Sequence, residues 1–159
     1  TRLSTTPGTH SGCGNHRGSI FRLWVGAALL QQDRHLSPKP DTWGRGSSAP
    51  REVRNAEVHV EQAVSAYIGD LPFLWVSADD QPGSTSIRRF LESNAIAILS
   101  CASPTGSTAD RPSPRWLGHY CPNDAVRRSG LWNVRGVEGQ YDPTFLERLE
   151  SCASATSPP

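Results

Sequence analysis

The sequence predicts an α/β (α+β) domain, a small mixed sheet flanked by helices. Two short apolar runs, residues 19–25 and 71–78, are rich in aromatic and β-branched side chains and read as strands. Two longer segments, 51–68 and 85–99, repeat apolar residues every three or four positions, the period of an amphipathic helix. The order strand, helix, strand, helix then gives way to irregular sequence.

Each element has its own cues. Residues 1–18, TRLSTTPGTHSGCGNHRG, are polar and Gly-rich and read as a flexible arm. GSIFRLWVG then supplies Ile20, Phe21, Leu23, Trp24 and Val25 ahead of a glycine, a strand at about 19–25, with a short helix at 27–32. Residues 33–50 hold three Pro and two Gly among polar residues, a long loop. From Pro50 onward Val53, Ala56, Val60, Ala63, Val64 and Tyr67 mark one helix face. Pro50 suits the start of that helix, and Gly69 suits a capping glycine at its end.

LPFLWVSA, 71–78, reads as a buried strand, and Asp79-Asp80-Gln81-Pro82-Gly83 as the turn after it. Ser84 or Thr85 can cap the helix that follows. Residues 100–114 are loop-like, a short helix lies near 122–128 between Trp116 and Trp132, and Pro143 opens a last helix, TFLERLE. SCASATSPP, 151–159, reads as a disordered tail. The division is an arm (1–18), one α/β domain (19–150) and the tail, with no internal repeat.

Composition narrows the function. The chain has 159 residues, enough for one domain with a core. Hydrophobic residues are 36% and charged residues 19%, while 14 Gly and 13 Pro imply many loops. A net charge of +1 gives no global attraction for nucleic acid, so such binding must come from local basic patches. No apolar run approaches the roughly 18 residues that span a membrane. The N-terminus lacks a secretion-signal pattern, and the four cysteines (Cys13, Cys101, Cys121, Cys152) read as reduced cytoplasmic thiols. There is no Met, even at position 1, which is expected of a fragment or a processed chain.

The segment SIRRFLESNAIAILS places a carboxylate in an unusual setting. With about 100 degrees per residue, Phe90, Leu91, Asn94, Ala97 and Ile98 fall within about 80 degrees of Ile87 and form a core face. Glu92 points away from that face, between Leu99 and Ile96. An ordinary role for it is a salt bridge to Arg88 or Arg89. Asn94, inside the apolar face, needs partners and should bond neighbouring backbone.

LESNAIAILS resembles the part of GIY-YIG nucleases where a helical Glu precedes an aliphatic stretch as E-x-x-x-I. The resemblance implies that Glu92 is the single protein ligand of one divalent metal, Mg²⁺ or Mn²⁺. GSIFRLWVGAALL resembles the second signature of that family, a strand ending aromatic-aliphatic-Gly, with Trp24-Val25-Gly26 in place of YIG. The literal Tyr67-Ile68-Gly69 closes a helix instead, whereas the family's YIG ends a strand. Arg54 matches the Arg between the motifs, and His59 the His of restriction-enzyme members. RRFLESNAIAILS, SPRWLGHYCPNDAVRRSGLWNV and YDPTFLERLE add to the likeness, which covers about residues 15–150.

What the resemblance implies is metal-dependent hydrolysis of DNA phosphodiesters. Glu92, Arg54, His59 and Trp24 form the implied catalytic set, and Arg88, Arg89, Arg127, Arg128 and Arg135 the implied DNA contacts. The alternative is a non-catalytic DNA- or protein-binding domain that keeps the fold. The chain departs from the pattern in four ways. Trp24 stands where the chemistry needs a tyrosine hydroxyl, and residues 1–18 supply no GIY. Arg54 and His59 are five apart, about 140 degrees round a helix. Cys101 or Ser103 occupies the region of a family Asn.

Other constellations are weaker. His10-x-x-Cys13-x-x-His16 has zinc-ligand types, with Cys121, Cys101 or His119 as a fourth, but it lacks a CxxC pair and lies in the Gly-rich arm. Asp79-Asp80 fits a turn better than a metal site. Trp116 and Trp132 beside basic residues can stack on bases, though tryptophans more often anchor a core. There is no phosphate-binding P-loop, G-x-G-x-x-G or G-x-S-x-G.

Overall fold

The computed structural model describes residues 14–33, 36, 40–78, 80, 81, 83, 85–104 and 111–156. Among the described residues the regular structure is helical, and no strand or sheet occurs. The expected α/β sheet is therefore overturned. The chain divides into two units: Thr1–Pro72 with Ser113–Arg127, and Phe73–Pro112 with Arg128–Pro159.

The first unit begins with a 3-10 turn, His16–Gly18, capped by the Asn15 side chain, which accepts from Arg17 N–H at 3.0 Å. Helix α1 follows, Ile20–Gln32, with Ser19 as its N-cap. Residues 19–25, expected as a strand, are thus the start of a helix. The Ser19 hydroxyl accepts from the Arg22 amide, and Ala27, Ala28, Leu29 and Leu30 continue with strong helix formers. Burial then follows helical spacing, at Arg22, Val25, Gly26 and Leu30. Capping and the downstream helix formers outweigh the β-rich composition of six residues.

Helix α2, Arg51–Gly69, starts after Pro50 as expected. Val60 and Val64 of its expected face are buried, but Glu57 and Glu61 are buried beside them, while Ala56 is exposed. Gly69 does not adopt the left-handed conformation of a capping glycine; Asp70 caps the helix in a right-handed turn, with Leu71 N–H bonding Ile68 O. Val25, Ala28, Val60, Val64, Leu117 and Cys121 are among the buried apolar residues of this unit, Leu117 belonging to a 3-10 helix, Leu117–Tyr120.

In the second unit, 71–78 was expected as a buried strand. Residues 73–78 of that run have no regular structure, and Phe73 and Leu74 are 84% and 100% exposed. Composition favours a strand there, but no neighbouring strand offers a ladder, and an isolated strand has little stability. Helix α3 is Ile87–Leu99. Ser86, not Ser84 or Thr85, is its N-cap, and the Asp80 carboxylate accepts from the Ile87 amide. Asn94 behaves as expected: its amide donates to Phe90 O at 2.8 Å and its carbonyl accepts from Asp142 N–H at 2.5 Å. Helix α4 is Asp124–Ser129, across the division at Arg127. Helix α5, Phe145–Ala155, packs with α3 and continues past residue 150, where a tail was expected. Residues 157–159 of that tail, and 1–13 of the expected arm, lie outside the described residues.

One glycine shows how tightly the first unit is packed. A side-chain carbon on Gly26 would lie 2.0 Å from the Trp43 ring. Glycine in a helix interior normally costs about 0.5–1 kcal/mol relative to alanine. Here the bare backbone makes the seat for an indole, whose N–H also donates to Leu23 O at 3.2 Å. Gly26→Ala should therefore lose about 1–3 kcal/mol rather than gain, as overpacking displaces Trp43. The urea midpoint followed by tryptophan fluorescence tests this; an unchanged or higher midpoint would contradict it.

Candidate functional site

Helix α2 turns two carboxylates, Glu57 and Glu61, into the first unit. They are four residues apart, so they lie one turn above each other on one face. Glu57 is 1% exposed and Glu61 5%. Buried carboxylates need partners, because an uncompensated buried charge is costly.

Glu57 receives Arg17 end-on, through both terminal nitrogens. Arg17 Nη1 reaches Oε2 at 2.5 Å and Nη2 reaches Oε1 at 2.9 Å, while the Thr42 hydroxyl donates to Oε1 at 2.7 Å. Arg17 also bonds the Thr42 and Arg45 carbonyls. Glu61 is held from two sides. His16 gives its main-chain N–H at 2.6 Å and Nδ1 at 2.9 Å to Oε1; Arg22 gives Nη2 at 2.7 Å and Nε at 3.1 Å to Oε2. Arg22 Nη2 also meets Glu61 O and the Ser65 hydroxyl. Gly14 is bare where Arg22 passes: a side-chain carbon there would lie 2.1 Å from the guanidinium carbon.

These contacts set the charges. Burial pushes the Glu57 carboxyl up, but the bonds from Arg17 and Thr42 and the charge of Arg17 outweigh it, and the net direction is down. Glu61 is also pushed up by burial and brought down further by His16 and Arg22. Arg17 is raised by its bond to Glu57.

The His16 ring stacks on Trp43, with centroids 3.8 Å apart. Beside it opens a cleft of about 270 Å³, walled by His16, Arg17, Ser19, Leu23, Gly44 and Gly46. Polar groups thus line one end of a small hollow at the start of α1. The cluster immobilises the cleft's walls, and its arginines and carboxylates are occupied by each other.

None of these acids was singled out in the sequence. The signal was present: Glu57-x-x-Val60-Glu61-x-x-Val64 puts two acids at helical spacing with two valines. An apolar-only pattern passes over them. His16 shares a zinc-ligand spacing with His10 and Cys13, which lie outside the described residues, and in the structure it bonds Glu61 instead.

The expected site residues fall as follows. Trp24 and His59 each have a buried ring nitrogen, Nε1 and Nε2, with no hydrogen-bond partner among the described residues. Arg54 is exposed on α2, and no side-chain hydrogen bond or ion pair joins it to Trp24 or His59. Glu92 belongs to the second unit, exposed on α3. Its ordinary partners do not pair with it: Arg88 bonds Ala78 O and Asp80 O, and meets Asp80 at 3.4 Å. Arg127 bonds Cys121 O and Asp124, and Arg128 pairs with Glu138 at 2.9 Å. Arg89 and Arg135 are exposed. Asp80 caps α3, as a turn residue would. Among the described residues no group of three or more His, Cys, Asp or Glu is placed to hold a metal. A single carboxylate completed by waters is a different kind of site, and Glu92, exposed and without an ion pair among the described residues, fits that donor set.

Comparison with protein families finds that residues 1–159, the whole chain, match the GIY-YIG domain. The chain belongs to the GIY-YIG family. Membership places this GIY-YIG chain among nuclease-type domains that act on nucleic acid. The chain is also 29% identical over 77 residues to the ubiquinone biosynthesis protein coq4, mitochondrial, of Aspergillus flavus and of Aspergillus oryzae. That stretch is 48% of this chain and 27% of those proteins, so the chain spans about a quarter of the length of the curated relatives it matches. No solved structure matches. No helix of the described residues is long and apolar enough to cross a membrane.

Two measurements test the cluster. Glu61→Gln keeps the size but leaves Arg22 buried without its counter-charge, and should cost about 3–5 kcal/mol in urea denaturation. Glu57 has a lowered folded value, so its contribution is complete above the ordinary carboxylate range and is lost as pH falls through the lower folded value. The wild type's advantage over Glu57→Gln should be constant above about pH 5 and shrink below about pH 4. An advantage that grows on acidification would contradict this.

Proposed function

We propose that this GIY-YIG chain is a DNA endonuclease, dependent on Mg²⁺ or Mn²⁺, that hydrolyses phosphodiesters with reduced efficiency. The observation that supports it is the family match over the whole chain, together with an exposed Glu92 that no neighbouring arginine neutralises. Glu92 offers a hard oxygen ligand to the ion, leaving its other positions to water and phosphate. When bound, a divalent ion supplies charge stabilisation at the phosphate. Arg54, exposed on α2 of the first unit and without an ion pair among the described residues, presents a planar fork of the kind that suits DNA phosphate oxygens. Arg89 and Arg135, also exposed, add salt-dependent backbone attraction.

Trp24 supports the second reading, a DNA- or protein-binding domain without catalysis. An indole N–H donates only, so it cannot take a proton from water as an ionised tyrosine can. In this chain that N–H is also buried.

Cleavage of supercoiled plasmid with Mg²⁺ or Mn²⁺, wild type beside Glu92→Ala and Arg54→Ala, separates the readings. Slow nicking that disappears in both variants is expected. Salt-sensitive DNA binding with no nicking in the wild type would establish the non-catalytic reading. Nicking unchanged in Glu92→Ala would remove Glu92 from the site.

A further inference from the structure

Among the described residues, the charges of the buried cluster in the first unit balance when His16 is neutral. Arg17 and Arg22 face Glu57 and Glu61, two cations against two anions. His16 lies among them, 2% exposed. Gly44 N–H donates to its Nε2 at 3.2 Å. A main-chain amide can only donate, so Nε2 carries a lone pair, and the ring proton sits on Nδ1, facing Glu61 Oε1.

A second proton would have to go on Nε2. It would meet the Gly44 amide head-on, donor against donor. It would also leave three cations to two anions in a buried site. The charged groups around the ring cannot absorb it. Glu61 of α2 is already shared with Arg22 of α1, and Glu57 of α2 is held by Arg17 and Thr42. From the 40–46 loop, the groups that face the ring are the Trp43 indole and the Gly44 amide, while Asp41 and Arg45 are exposed.

We propose that His16 is a proton-operated latch on the 40–46 loop: a proton on Nε2 expels the Gly44 amide and releases the loop at Gly44. Thr42 stays tied through its hydroxyl to Glu57, Trp43 through its indole N–H to Leu23 O and Arg45 through its carbonyl to Arg17, so the movement is local to the Gly44 peptide. Gly44 and Gly46, both in the left-handed region with φ of 79° and 71°, have the backbone freedom to move. Both wall the cleft, as does His16 itself. Expulsion of the Gly44 amide then alters one wall of the cleft. The latch is independent of whether the chain cleaves DNA.

Native-state hydrogen exchange of the unmodified chain tests it, with each rate corrected for the intrinsic pH dependence of exchange. The Gly44 amide should lose protection by about tenfold per pH unit once opening is linked to uptake of one proton. The Val64 amide, within α2, should keep its protection over the same range. In His16→Gln, where a carboxamide can accept and donate but does not titrate, Gly44 protection should be independent of pH. Constant Gly44 protection in the wild type between about pH 8 and 5 would overturn the latch. So would parallel loss at Gly44 and Val64, which marks global unfolding, or a pH dependence that survives in His16→Gln. Should His16→Gln fail to fold, the comparison of Gly44 with Val64 in the wild type still decides.

Discussion

Glu61 holds one carboxylate between an imidazole from the 3-10 turn and a guanidinium from α1, and the first unit is arranged around that bond. A buried carboxylate cannot be left unpaired, so its two partners must be brought to it at fixed distance. The turn at His16, the entry of α1 and the inner face of α2 are positioned by that requirement. Glu57 repeats the device one turn away with Arg17 and Thr42, which ties in the loop that carries Trp43. Two glycines complete it, Gly14 beneath the Arg22 guanidinium and Gly26 beneath the Trp43 ring. Replacing such ion pairs by apolar residues is often neutral in stability, so their value here lies in specifying which surfaces meet.

Family membership and architecture carry different information in this chain. The GIY-YIG match spans it from end to end, yet the described residues build helices and no sheet. Trp24-Val25-Gly26, the degenerate signature, lies within α1 and not at the end of a strand. Gly26 has a packing role that needs no catalytic explanation, because Trp43 occupies the space a side chain would take. Glu92 is the opposite case: exposed on α3, with Arg88 engaged elsewhere, it has no evident structural task among the described residues.

The helices were legible where apolar spacing was strong. Residues 51–68 and 85–99 were expected as helices and correspond to α2 and α3, and the Asn94 carboxamide found neighbouring backbone as its position demanded. The errors came from short apolar runs. Helix and strand differ little in composition over seven residues, and neighbours decide. At 19–25 the decision came from the Ser19 cap and the Ala-Leu continuation; at 71–78 no second strand among the described residues makes a ladder. Glu57 and Glu61 were passed over because charged residues are ordinarily assigned to the solvent face.

By itself the sequence determined where α2 and α3 run, because the period of their side chains is a local property of the chain. It also determined the family, through residues matched along its whole length. Only tertiary structure decided which face of α2 is buried, that Arg17 and Arg22 are its counter-charges, and that His16 meets Glu61 across 45 positions of chain. The same is true of Gly26, whose need for a bare backbone depends on an indole 17 positions later. Such pairings join residues far apart in sequence, and their free energy exists only once the chain has brought them into contact and excluded water.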